Sequence, residues 1–335
     1  MGVHELGDAI IHDDEIVEVE AVAGRSPTRI AFDRLRKDKL AWVCSILMLV
    51  LIMLAILAPV ITNAMGIYWD ISDPNAPSQS EVLDFDGYPS TGPPFHAWDP
   101  SHPLGIAPAT GSDNLAYLLY GLRTSLIVAF AATFFSTIIG VVVGLIGGFS
   151  RGALDKGLSF TTDLFLSFPS LLAMLALAPI IAERFARDEG SLGRAQFIAL
   201  ISILVIFGWM GLARLIRGQV LSLREREFIQ AAEVIGVPTR RILFKELLPN
   251  MVALIVVAVS LGVPGFVALE AGLSFLGLGL SGIPSLGKMV SDAVPYYADY
   301  PLYLWMPVGT IALLTLSLNL LGDSIRDAFD PRTRR

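Results

Sequence analysis

Arg34 to Thr62 reads RLRKDKLAWVCSILMLVLIMLAILAPVIT. Four of its first six residues are cations, and the 23 that follow carry no charged side chain. A helix needs roughly 20 predominantly apolar residues to cross the hydrocarbon core of a bilayer, so the spacing predicts a first span over 40–62. Six basic residues stand before it: Arg25, Arg29, Arg34, Arg36, Lys37 and Lys39. Residues 63–120 beyond it contain no Lys or Arg but hold Asp70, Asp73, Glu81, Asp84, Asp86, Asp99 and Asp113. Lys and Arg concentrate on the cytoplasmic flanks of spans. The N-terminus is therefore expected in the cytoplasm, and 63–120 is expected as an extracytoplasmic loop rich in turns.

The rest of the chain repeats that first reading. Of 335 residues, 54% are hydrophobic and 16% charged, and the mean hydropathy is +0.64. A soluble domain of this size carries more charge. The net charge of −7 does not bear on sidedness, which follows the placement of Lys and Arg. The expected fold is an all-α polytopic membrane protein with six transmembrane helices and both termini cytoplasmic. Spans two to six are expected near Leu122–Phe149, Leu164–Ala182, Gln196–Leu215, from after Pro249 to Phe275, and Leu302–Leu321. Pro169 and Pro179 should kink the third. Gly140, Gly144, Gly147 and Gly148 end the second with a spacing that permits close helix approach, read here as packing within the chain. The organisation is then an acidic tail and basic flank over 1–39, with 1–24 read as a disordered tail and not a signal peptide. The first span follows over 40–62 and the outer loop over 63–120. A five-helix core takes 121–322 and a cytoplasmic tail 323–335.

Between spans four and five lies the one strongly charged helical stretch, Arg224–Pro249: REREFIQAAEVIGVPTRRILFKELLP. Basic exits at Arg214, Arg217, Arg224 and Arg226 put this elbow in the cytoplasm. Gly236 and Pro238 should break it into two segments.

Several patterns mimic chemistry. Gly277–Gly282 matches G-x-G-x-x-G without the strand and helix a dinucleotide site requires. Gly282–Lys288 matches most of a phosphate loop, but Met289 stands where Ser or Thr would meet Mg²⁺. The chain is therefore not expected to hydrolyse ATP, and neither a cofactor nor a metal is expected in it. Cys44 lies inside the first span and reads as packing; one cysteine forms no internal disulfide. His4, His12, His96 and His102 fall in the tail and outer loop and are read as solvated. Nucleic-acid binding is not expected, since topology accounts for the basic residues. Glu270 and Arg123 remain as charges at membrane depth. They are the possible pathway or gate residues, against a reading of Glu270 as an interfacial carboxylate that caps a helix or pairs with Arg123 or Lys288.

Gln230–Asn250, QAAEVIGVPTRRILFKELLPN, resembles the EAA loop of ABC-importer permeases. Ala231, Ala232, Gly236, Leu248 and Pro249 fall in register; Gln230 replaces the pattern's first Glu, and Glu246 its Ile. Trp209–Gly236, Glu270–Leu280 and Gly322–Arg334 are similar to the dipeptide/oligopeptide/nickel subfamily, its C-type subunit in particular, and the likeness runs over about 32–335. One stretch departs: Gly105–Asp113 has one residue more than the family's G-T-D-x-x-G-R-D motif, with Ile106, Ala107 and Ser112 at its Thr, Asp and Arg positions. The resemblance implies a type I ABC-importer permease core in the bacterial cytoplasmic membrane. It implies pairing with a second homologous permease subunit, on two ATP-binding subunits or one fused ATPase. ATP and Mg²⁺ would sit on those partners, and an extracytoplasmic substrate-binding protein would deliver solute. Gln230, Ala231, Ala232, Glu233, Gly236, Leu248 and Pro249 would couple to the ATPase. The implied cargo is dipeptides or oligopeptides, then nickel chelates, glutathione or another small solute. An ATP-independent secondary transporter or channel, the rival class, would spread polar residues over several spans; a membrane scaffold that transports nothing is the third reading.

Overall fold

The computed structural model describes residues 27–93, 95–185, 192–278 and 282–329. The expected tail over 1–24, with His4 and His12, lies outside them.

A short helix α1 (Pro27–Leu35) turns into α2 (Lys39–Met65), the first span. Asp38 caps α2 by accepting from the Leu40 amide, and Gly66 closes it with φ +68, a value that costs glycine little. The loop that follows holds one helical turn, α3 (Gln79–Val82). Helix α4 (Asn114–Phe149) is 36 residues long, about 54 Å, and starts eight residues before the expected span. Asp113 caps it and continues the turn of the loop straight into the helix.

Then come α5 (Ala153–Ser167) and α6 (Ser170–Phe185), where the expectation was one kinked span. Between them the chain bends by 90°. Pro169 lies between two helices, and Phe168 before it is extended (φ −76, ψ 139), the conformation a following proline imposes. Pro179 sits within α6 without ending it. Helices α7 (Leu192–Gly208) and α8 (Met210–Arg224) run on through a break at Trp209. The elbow is α9 (Glu227–Val234), α10 (Thr239–Arg241), a π-helical turn Ile242–Leu247, and α11 (Leu248–Asn250). Helix α12 (Val252–Leu273) continues through a π turn to Leu278, α13 (Leu286–Ala293) covers the loop end, and α14 (Pro301–Phe329) closes the bundle. Five of these runs are long and apolar enough to cross a membrane; the bent α5–α6 pair makes a sixth if counted as one span.

Two seams hold the bundle. Met48, Leu51, Leu126, Ala129, Ile203, Leu204, Val267 and Leu314 bring α2, α4, α7, α12 and α14 into one core. The second seam sets glycines of α4 against carbonyls and the Leu212, Ile216 and Val220 side chains. A methyl group at Gly144 would lie 2.7 Å from the Ala213 carbonyl, one at Gly140 2.9 Å from that of Trp209, and one at Gly148 2.9 Å from that of Arg217. The glycine spacing therefore packs α4 on α8 within the chain. This close approach is open only to residues without a side chain.

Candidate functional site

The elbow is built outward from an apolar root. Ile229 of α9, Ile242 and Leu247 of the π turn and Met251 are buried on Leu145 of α4 and Ile216 and Val220 of α8. Ala232, Val237, Leu243 and Leu248 pack at the margin of the same cluster. Polar contacts finish it. Arg224 donates to the carbonyls of Gly148 and Phe149, the groups left without partners where α4 ends. Arg217 forks onto Asp155 at 3.0 and 2.8 Å, and Arg151 stands 3.7 Å from Glu233 across an exposed gap. Asp163 of α5 pairs with Arg214 of α8 at 2.5 Å.

The tip points the other way. Helix α9 stops at Gly236, which adopts φ +81, and nothing stands within 4 Å of the place its Cβ would occupy. Val234 and Ile235 beside it are 87% and 81% exposed. Gln230, Ala231, Glu233, Gly236 and Pro249 are exposed, while Ala232 and Leu248 are half-buried. Gln230 donates to the Glu225 carbonyl, so the residue in place of the pattern's Glu is spent on local chain geometry. Val234 and Ile235 were missed in the sequence, although two adjacent β-branched residues in a charged stretch were there to be seen.

At the loop end the polar groups are turned inward. Glu270 is fully buried; Ser125 donates to one carboxyl oxygen at 2.6 Å and Ser274 to the other at 2.8 Å, with Ser285 a third partner. The Leu286 amide donates to Ser125, so α4, α12 and α13 meet on this one carboxyl. Among the described residues Glu270 pairs with neither Arg123 nor Lys288; Lys288 holds Asp292 at 2.6 Å, and Arg123 is half-buried with no ion pair. Glu270 is thus a buried acceptor of serine hydroxyls, and the expected pairing with Arg123 or Lys288 is not formed. Ser274 lies one helical turn from Glu270 and was legible from spacing; Ser125 and Ser285 come from other elements and were not. In the decoy Gly282–Lys288, Ser285 caps α13 by accepting from the Lys288 amide.

His102 corrects the reading of solvated histidines. Its Nδ1 lies 2.8 Å from Asp113 Oδ2, and this hydrogen bond lifts its pKa above the ordinary histidine value. His96 is exposed as expected. Beside this pair Asn114 donates to the Tyr300 hydroxyl at 2.9 Å, and Tyr300 donates to the Leu104 carbonyl at 2.7 Å. Burial pushes the Tyr300 phenol up to about 12. Gly105, with φ +73, passes so close to Tyr300 that a methyl group would strike its hydroxyl. The departing segment Gly105–Asp113 is therefore folded down: Ala107 is buried among residues of α4, α13 and α14, and Ile106 on Val82 and Leu83 of the loop itself.

A bundle of five to six apolar helices, interrupted between two spans by a rooted elbow with an open tip, defines a transport permease of the ABC-importer fold. The same fold is found in the MetNI methionine ABC transporter solved in inward-facing conformations, with a TM-score of 0.51 over 64% of this chain and 96% of that one. At 21% identity that likeness establishes the architecture alone. The chain belongs to the family described as binding-protein-dependent transport system inner membrane component, whose model matches residues 140–335. Residues 26–80 match the N-terminal TM domain of oligopeptide transport permease C. The oligopeptide transport system permease protein OppC of Bacillus subtilis (strain 168) is 33% identical over 303 residues, 90% of this chain and 88% of that protein. The dipeptide transport system permease protein DppC of Alkalihalophilus pseudofirmus is 35% identical over 312 residues, 92% of this chain and 91% of that one. The protein is a multi-pass inner-membrane permease, a transport subunit of a bacterial ABC transporter rather than an enzyme, and it works in a complex with ATPase and partner subunits.

Proposed function

We propose that this permease forms half of a passage for dipeptides or oligopeptides and is driven through the tip of its elbow. Its relatives OppC and DppC are permeases of oligopeptide and dipeptide transport systems, which favours the same cargo here. The composition is argued from the resemblance: a second homologous permease beside this chain, two ATP-binding subunits or one fused ATPase below, and an extracytoplasmic binding protein above. ATP and Mg²⁺ belong to those partners. The sequence-based divisions are kept: flank 1–39, span 40–62, outer loop 63–120, core 121–322 with the elbow 224–249, and tail 323–335.

The observation that carries the reading is the contrast within α9. One face, with Ile229, is buried in the bundle, while Val234 and Ile235 stand open beside an unobstructed glycine turn. Exposed adjacent apolar residues at a helix end suit a partner's pocket. In this scheme Gln230, Ala231, Glu233 and Gly236 meet the ATPase. Ala232, Leu248 and Pro249 carry its movement into the root and so to α8 and α12. Glu270 and Arg123 fall into different roles: Glu270 ties three elements at the loop end, and Arg123 is the charge left for the passage.

The test is Gly236→Trp in the reconstituted transporter. The complex should assemble and hydrolyse ATP while peptide uptake falls by at least tenfold. Normal uptake by a normally assembled complex would remove the elbow from the coupling path.

A further inference from the structure

Helix α1 lies against the end of α14, with Ala31 buried and Arg34 donating to the Ala328 carbonyl at 3.4 Å. It turns back into α2 over Arg36–Asp38. The angle between α1 and α2 leaves a groove of about 370 Å³ lined by Phe32, Leu35, Arg36, Ala41, Trp42 and Ser45. Its walls stay open: Phe32 is 64% and Trp42 52% exposed. The Trp42 indole nevertheless is fixed, because its Nε1 donates to the Arg36 carbonyl at 2.9 Å.

The rim carries one sign of free charge. Residues 36–39 hold three basic side chains against one acidic one. Arg36, Lys37 and Lys39 are exposed and make no ion pair among the described residues. Asp38 is already engaged by the Leu40 amide and the Ser324 hydroxyl, and Asp33 also has a partner. Below the groove the exposed apolar face of α2 continues through Val43, Ile46, Leu49 and Val50. An apolar slot that opens onto a span's lipid-facing side, under a fixed indole and unpaired cations, has the layout of the membrane interface.

We infer that this groove is a binding site for one anionic phospholipid. An acyl chain lies between Phe32, Leu35 and Trp42, and the headgroup phosphate is held by Arg36, Lys37 and Lys39. A water-soluble partner would leave the slot's continuity with the span unexplained. A zwitterionic lipid brings its own cation to a rim that already has three.

The complete transporter in phosphatidylcholine nanodiscs, doped with a photoactivatable phosphatidylglycerol or a matched phosphatidylcholine probe, tests this by mass-spectrometric mapping of adducts. The glycerol probe should label residues 32–45 at least fivefold more than the choline probe. R36Q/K37Q/K39Q should abolish that excess while labelling over residues 46–60 stays the same. Should the triple variant fail to insert, Arg36→Gln alone, which keeps the other basic residues of the flank, should lose at least half of it. Equal labelling by both probes, an excess that survives these substitutions, or residues 32–45 shielded from both probes by another subunit would each overturn the site.

Discussion

Val234 and Ile235 leave most of their surface open at the elbow, while Ile106 and Tyr300, at the opposite end of the bundle, leave none. Both ends are built on apolar clusters and both carry charge. At the loop end the polar groups find their partners inside the chain: Glu270 with three serines, His102 with Asp113, Tyr300 with Asn114 and Leu104. At the elbow the inner face is packed, with Arg224 Nε buried without a partner, and the apolar tip is open. Buried polar groups are costly without partners, and each end keeps one, Asn114 Oδ1 at the loop end and Arg224 Nε at the elbow's root; the open pair Val234 and Ile235 is what makes the elbow read as a surface that another completes.

The contrast breaks most sharply at what both ends share, the seam of α4 on α8. Gly144→Leu places its side chain into the Ala213 carbonyl and Ile216, and no folded protein should be recovered from the membrane by size exclusion. Glu270→Ala leaves Ser125, Ser274 and Ser285 without their shared acceptor, at a cost of about 1–3 kcal/mol for each group left unpaired, and should lower the thermal midpoint strongly. Glu270→Gln, which keeps an acceptor oxygen, should recover much of that loss. Ile229→Ala opens a cavity in the elbow's root and should cost about 2–4 kcal/mol, visible as faster amide exchange over residues 227–251.

His102→Ala should cost about 1 kcal/mol and only in part of the pH range. A histidine whose pKa is raised on folding stabilises fully below its ordinary value, and that gain is lost as pH rises through the raised one. Melting curves of wild type and variant should therefore differ most below the ordinary histidine pKa and converge as pH rises through the raised one. Smallest in stability is V234D/I235D, expected within about 0.5 kcal/mol of wild type because both positions are exposed. Its whole effect should fall on association: the ATPase subunit should no longer copurify. A stable complex with this variant would mean that the elbow's tip is not what the partner holds.

How much of this was legible in the sequence follows the range of each interaction. Spans one, two, four, five and six depend on runs of apolar residues, which are local, and the chain spells them out. The elbow's break was legible because Gly236 and Pro238 act on their own backbone. In span three the position of the bend was legible and its size was not: Pro169 was expected to kink the helix, and Phe168 and Pro169 turn the chain by 90°. Glu270 was found as a lone charge, but two of its three partners lie on α4 and at the cap of α13, 145 and 15 positions away. His102 was dismissed for the same reason: nothing near it in a loop marks Asp113 as its partner until the loop folds over α4.

The glycine seam has a mechanical consequence. At Gly140, Gly144 and Gly148 carbonyls of the facing chain and the Leu212, Ile216 and Val220 side chains stand where a Cβ would lie, so sliding one helix past the other meets hard contacts almost at once. Helices α4 and α8 thus behave as one stiff beam with the elbow's root bolted to its end through Ile229 and Ile242. If the tip is pushed, as proposed, there would be little slack to take up before the beam moves, and the yielding would fall on the other core, packed by longer side chains such as Met48, Leu126 and Leu314.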